Sequence, residues 1–290
     1  MKLSVVTDEV SADLETSLEI ISGWGVDAVE LRGIGERRYP AVSEFWRARV
    51  PELIYESGLE VAALSPGLFK IPYPTRPGDD TRILRWEDAL LFQRYQEAEA
   101  LVRHHLEVLL PQSIEAAQQL GAPTVVCFSF DRVGSDAGEH VAPEAVVDIL
   151  RHAAAQTAEA GLTLAIEVEH VCWGDTGART AELLRRIDHP AVGINWDPAN
   201  AYRSGEDHPF PHGYGDVRDR LRHVHFKDAY TDPSTGLRWF GSEGVVDWEG
   251  QVAALRDDGY DGFISVETHD RPKVARTRDA VERLRGLGVQ

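Results

Sequence analysis

Residues 221–228, LRHVHFKD, carry two imidazoles and an ammonium at alternate positions. Strand side chains alternate with period two, so His223, His225 and Lys227 share one face and Val224 and Phe226 the other. Burying three such groups in an apolar strand is costly unless partners meet them. A metal ion, carboxylates or a polar substrate would serve. The plainer alternative is a satisfied core histidine beside a solvated lysine. Carboxylates at the ends of other apolar runs weigh against it: Glu167 ends LTLAIE, Asp197 ends AVGINWD and Glu267 ends GFISVE. A single strand-end acid is often only a helix N-cap. Together with His225 the three make a hard, mostly oxygen donor set. It suits Mn²⁺ first, or Mg²⁺, with Co²⁺ or Zn²⁺ also within its range.

Parity extends the constellation. Glu169 shares a face with Glu167, Asn195 with Asp197, and Ser265 with Glu267. Glu30 and Arg32 share the inner parity of AVELR, and Ser65 ends the next apolar run. His223, Glu30, Ser65 and Glu169 are therefore candidate hydrogen-bonding groups for a substrate. Glu30 and Arg32 read equally well as an internal ion pair.

These positions need a frame that brings strand ends together. Apolar runs at 3–7, 28–32, 59–65, 123–130, 162–170, 191–197, 221–228 and 262–269 alternate with amphipathic stretches at 13–23, 43–57, 83–120, 143–160, 180–187, 247–258 and 273–287. Such alternation means a parallel sheet with right-handed crossovers. Eight units in 290 residues predict an α/β fold, a closed (β/α)₈ TIM barrel forming a single domain over 1–290. Its active site lies at the C-terminal strand ends, where these side chains fall. An open doubly wound sheet is the alternative. It would carry a glycine-rich turn after the first strand, where this chain has TDEVSAD. Residues 66–80 are rich in Pro and Gly and read as a loop, either a lid over the site or a surface excursion. The 83–120 pattern is interrupted by Pro111, where a break is expected.

The chain is 43% hydrophobic and carries a formal net charge of -18. That charge opposes nucleic-acid and anionic membrane partners. Two cysteines make neither a disulfide framework nor a zinc finger. With no apolar run of membrane length and no evident signal segment, a cytoplasmic location is expected.

GVDAVELR, LTLAIEVE, VGINWDPAN, HVHFKDA and the closing GSEGVVDWEGQVAALRDDGYDGFISVET resemble the xylose-isomerase-like barrel superfamily, the sugar phosphate isomerase/epimerase family. The resemblance covers nearly the whole chain and is strongest after residue 160. It implies that Glu167, Asp197, His225 and Glu267 are metal ligands, with Glu167 and Glu267 as an acid/base pair. Asn200 stands where many epimerases carry a substrate-binding histidine. Trp173 and Thr231 stand where epimerases tend to have a second Glu and an Arg. Those departures count against ketose 3-epimerase activity, and Lys227 after the metal histidine resembles the dehydratase and general isomerase branches.

The chemistry expected is proton abstraction next to a carbonyl of a small carbohydrate, with a divalent cation as Lewis acid. Lys227 or His223 would protonate an oxygen. Return of the proton to carbon makes an isomerase or epimerase, the first expectation. Loss of a β-substituent makes a lyase or dehydratase, the alternative. A nuclease is disfavoured by the acidic charge, and a non-catalytic metal-binding barrel is the remaining class. The sequence leaves a homo-oligomer open.

Overall fold

The computed structural model describes residues 1–73, 98–132, 140–241 and 244–290. The expected helix over 83–97, most of the loop at 74–80, the loop around Gly134, Asp136 and Gly138, and residues 242–243 lie outside them. Eight parallel strands close into a barrel. They are β1 (Lys2–Val6), β2 (Ala28–Leu31), β3 (Glu60–Leu68), β4 (Thr124–Cys127), β5 (Thr163–Glu167), β6 (Val192–Trp196), β7 (Leu221–Phe226) and β8 (Phe263–Val266). Each pairs with the next in chain order, and β8 closes on β1 through Ser4 opposite Ser265. This is the (β/α)₈ TIM barrel expected from the alternation of patterns.

The helices are α1 (Leu14–Gly23), α2 (Glu44–Ser57), α3 (Ala98–His104), α4 (Leu110–Leu120), α5 (Glu144–Glu159), α6 (Gly177–Ile187), α7 (Pro198–Arg203), α8 (Tyr214–Val217), α9 (Trp248–Asp257) and α10 (Lys273–Gly286). Their starts follow capping chemistry. Asp13, Thr176, Asp197 and Asp247 each accept a bond from the backbone N–H three residues on. In α6 the buried residues Thr180, Leu183, Leu184 and Ile187 recur at helical spacing and turn one stripe to the barrel.

Two kinds of interior result. Outward strand residues Val5, Val29, Leu64, Val125, Ile166, Ile194, Val224 and Ile264 pack under the helices in one continuous hydrophobic cluster. Inside the barrel, Ser4, Glu30, Asn195, His223 and Ser265 are all buried. Ala28, Ala62 and Phe263 form a separate small apolar group near the strand beginnings. The lumen is thus unusually polar, and each polar group in it needs a partner.

Register aligns the site. Glu167 lies opposite Asn195, Asn195 opposite His223, and Ser265 opposite His225. A shift between Ile194 and Asn195 on β6 brings this about, because Ile194 pairs with Leu221 but Asn195 with His223. Without that bulge Asn195 would face Arg222, and the two strands would present opposite faces.

Two expectations are corrected. β3 does not stop at Ser65 but continues through Pro66 and Gly67 to Leu68. Its pairing with β4 jumps from Leu64 to Leu68, and this irregularity accommodates a proline that cannot donate to a ladder. The helix over 98–120 is not broken at Pro111. A π turn at His105–Leu109 precedes α4, and its wider winding relieves the proline's demand on the preceding turn. Residues 203–218 hold a turn at Pro209–Gly213 and α8. Two antiparallel ribbons, Gly33–Ile34 with Arg37–Arg38 and Ala229–Thr231 with Arg238–Phe240, extend the C-terminal face and were not foreseen. Among the described residues no helix is long and apolar enough to cross a membrane.

Candidate active site

Glu167 is the last residue of β5, and His225 the fifth of β7. Asp197 follows β6, and Glu267 follows β8. One donor atom from each lies within 4.8 Å of the other three, and all four side chains are buried. Asp197 does two jobs: its Oδ1 caps α7 by accepting from Asn200 N at 2.9 Å, while its Oδ2 points to the cluster. The bland reading of a strand-end acid as a cap therefore holds for one oxygen only.

Lys227 sits over the cluster, 2% exposed, with Nζ 2.7 Å from Asp197 Oδ2 and 2.6 Å from Glu267 Oε2. Its backbone carbonyl accepts from Trp248 Nε1 at 3.0 Å, so α9 braces it from behind. Burial pulls the ammonium down, but Asp197 and Glu267 overrule that and hold it protonated. Burial pushes the Asp197 carboxyl up. Glu267 ends well below the usual carboxylate range, because Lys227, His269, Arg32 and His225 together outweigh its burial.

Arg32 bonds Glu267 through Nη1, Glu9 through Nη2 at 2.7 Å and Asp8 through Nε at 2.8 Å. It does not pair with Glu30, so the expected internal ion pair of those two is absent. Glu30 is fully buried in the lumen. It accepts from Ser65 Oγ and lies 2.8 Å from His223 Nε2 and 3.1 Å from His225 Nε2. Ser65 and His223 are thus occupied by Glu30, with Ser265 Oγ 2.9 Å from His223. Glu169 stands apart from the four, its Oε2 held by Lys70 Nζ at 2.7 Å. Asn200, on α7, donates to Asp197 Oδ2 at 3.0 Å and to Glu167 Oε1 at 3.4 Å. The amide oxygens of Asn195 and Asn200 are buried without a hydrogen-bond partner among the described residues.

Glu9 and His269 were missed. Glu9 follows β1 and is fully buried; its carboxylate holds the backbone N–H of His269 at 3.0 Å and the ring Nδ1 at 2.9 Å. His269 takes a left-handed φ of 51°, costly for a residue with a side chain, and its Nε2 lies 3.4 Å from Glu267 Oε1. Glu9 lies three residues beyond β1 in a short turn and His269 three beyond β8, so strand alternation does not reach either of them. Phe240, from the second ribbon, lays its ring 4.6 Å from Lys227 Nζ and 4.4 Å from the Arg203 guanidinium.

The donor set fits a divalent cation. Ligands on opposite sides of one such ion stand roughly 4 Å apart, close to the spread found here. The three carboxylates carry three negative charges; Lys227 answers one, and Arg32 on Glu267 is shared with Asp8 and Glu9, so the cluster keeps an excess of negative charge that a divalent ion would meet.

A barrel of this topology with a carboxylate and imidazole cluster at its C-terminal face defines the class. The chain belongs to the xylose isomerase-like TIM barrel family, whose model matches residues 18–287. An inosose dehydratase of Geobacillus thermodenitrificans is 28% identical over 149 residues, 45% of this chain and 48% of that one. The chain thus aligns with about half the length, or less, of the curated relatives it matches. A D-allulose 3-epimerase from Methylomonas sp. superposes with a TM-score of 0.68 at 15% identity, covering 99% of this chain and 98% of its own. A Mycobacterium smegmatis protein of the family, in complex with magnesium, does so with a TM-score of 0.65 at 16% identity, covering 99% and 95%. These two likenesses concern the fold.

Proposed function

We propose that this protein is a metal-dependent enzyme that removes a proton next to a carbonyl of a small polyhydroxylated substrate, with Glu167 as the base. Glu167, Asp197, His225 and Glu267 would hold the divalent ion, Mn²⁺ or Mg²⁺ by the hardness of the donors. When bound, the ion would supply Lewis-acid polarisation of the carbonyl.

The observation that carries the reading is the unequal treatment of the two glutamates. Glu267 is gripped by Arg32 and Lys227 and kept far into its ionised range. A carboxylate so stabilised is a weak base. Among the described residues, Glu167 accepts long amide hydrogen bonds of 3.4 Å from Asn195 and Asn200, with His225 Nδ1 3.7 Å away. One free base and one locked carboxylate disfavour epimerisation, which delivers a proton from the opposite face of the carbon. A single base suits an elimination or a same-face isomerisation.

Elimination is the reading we favour. The curated relatives at the sequence level are inosose dehydratases, and Lys227 is a buried donor held beside the cluster by Asp197 and Glu267. Glu167 takes the proton from carbon, Lys227 donates a hydrogen bond to the departing hydroxyl oxygen, and that hydroxyl leaves with the abstracted proton as water. Isomerisation is the second reading, supported by the same base.

The test is metal-stripped and metal-restored protein against ketoses, keto-sugars and inososes in heavy water. The expected outcome is a product lighter by one water, formed only with metal. Glu167→Gln should lose at least about a hundredfold in rate. Deuterium in an isomeric product without water loss would favour isomerisation. Turnover unaffected by Glu167→Gln or by chelation would end both readings.

A further inference from the structure

The two ring nitrogens of His225 face different company. Nδ1 faces the cluster, 3.3 Å from Glu267 Oε2 and 3.7 Å from Glu167 Oε1. Nε2 faces into the barrel, 3.1 Å from each oxygen of Glu30. A neutral imidazole carries one N–H, and only its other nitrogen offers a lone pair to a metal. An ionised carboxylate can only accept. Glu30 presents both carboxylate oxygens to Nε2 at the same distance. Opposite Nε2 it selects the ring form with the proton on that nitrogen.

Glu30 is itself held in place. Ser65 donates to its Oε1, and His223 Nε2 lies 2.8 Å from its Oε2. Ser265 Oγ is 2.9 Å from the same His223 nitrogen and donates onward to Ser4 at 3.1 Å. Four neighbouring strands thus fix one carboxylate beneath the cluster, none of it exposed. Asn195 lies beside the ring, 3.4 Å from Nδ1 and 3.1 Å from Nε2, and its amide also reaches Glu167.

We propose that Glu30 is the positioning residue of the metal centre: it holds His225 as the Nε2–H form, so that Nδ1 is the nitrogen given to the ion. The inference rests on the metal centre assigned under the proposed function. A histidine ligand oriented by a carboxylate on its other nitrogen is more basic and better aimed. Loss of the orienting group costs roughly 10- to 100-fold in metal affinity. This gives Glu30 and His223 a place below the substrate rather than against it.

The experiment pairs calorimetry with nitrogen NMR, using Zn²⁺ alone as a diamagnetic probe. Metal-stripped protein, Glu30→Gln and Glu30→Asp are titrated with Zn²⁺ at fixed pH. Long-range proton–nitrogen spectra of histidine-labelled protein, with His225 assigned from His225→Asn, report which nitrogen carries hydrogen. The expected result is Nε2–H with Zn²⁺ on Nδ1, affinity down roughly 10- to 100-fold in Glu30→Gln, and partial recovery in Glu30→Asp. Circular dichroism checks that the variants fold, and the ring form of the unsubstituted protein is decisive even where they do not. Zn²⁺ bound with hydrogen on Nδ1, or unchanged affinity in folded Glu30→Gln, overturns the role of Glu30 and leaves the metal centre standing. Failure of the unsubstituted protein to bind Zn²⁺ overturns both.

Discussion

Lys227 concentrates the electrostatics of the site. Its ammonium touches two of the candidate ligands, so it is both counter-charge and competitor for a cation. Removing one member of a buried pair strands the other charge, at about 3–5 kcal/mol. Lys227→Met should therefore lose about that much in chelator, measured by urea unfolding. Divalent metal should restore most of it, because the ion supplies the missing charge. Equal losses with and without metal would mean that Asp197 and Glu267 do not hold one. Glu9 adds a pH dependence. Burial raises its carboxyl, but the His269 hydrogen bond and Arg32 win and hold it below the ordinary 4.5. A carboxyl depressed in the folded state stabilises fully above its unfolded value and loses that contribution as pH falls through the range below it. The acid limb of the stability curve below pH 4.5 should be shallower in Glu9→Gln, and an unchanged limb would show that other carboxylates dominate it.

At the scale of elements, the face of a strand was readable and its neighbours' offsets were not. Alternation put His223, His225 and Lys227 on one side of β7 because polar residues in an apolar run leave a period-two trace. The bulge at Ile194–Asn195 left no such trace. Its enabling residue is Gly193, whose added Cβ would lie 2.1 Å from Arg222 Cγ and 2.9 Å from the Arg220 carbonyl oxygen. β7 approaches β6 closely there. Gly193→Ala should cost about 1–3 kcal/mol by overpacking and weaken metal binding, since Asp197 and Lys227 lie on these two strands' ends. Full affinity in a destabilised variant would separate the packing from the register. Glu9 and His269 escaped for a related reason. They lie beyond strand ends, where direction depends on turns such as the left-handed His269 rather than on a period. Glu30 showed its inner face in the sequence, but its partners came from β3 and β7, which only the closed barrel brings together.

Across the whole molecule, the candidate metal centre would tie strands from both sides of the closure. The four side chains that could hold the ion come from β5, β6, β7 and β8 or their ends, while Arg32 connects Glu267 to Asp8 and Glu9 after β1. An ion bound there fastens half the barrel together. The chain's charge of -18 opposes compaction, and a cation bound only by the folded state offsets part of it. Mass action sets the scale: ligand at a hundred times its dissociation constant stabilises by about 2.7 kcal/mol. For a chain of 290 residues that corresponds to roughly 4–5 °C in melting temperature. Stripped protein titrated with Mn²⁺ or Mg²⁺ should rise by that amount, and EDTA should reverse it. Because the screening of surface charge also stabilises an acidic protein, the control is an equal ionic strength of NaCl. His225→Asn in the same titration should abolish the excess over NaCl. If it does not, the ions act on the acidic surface and the four strand-end side chains are not their site.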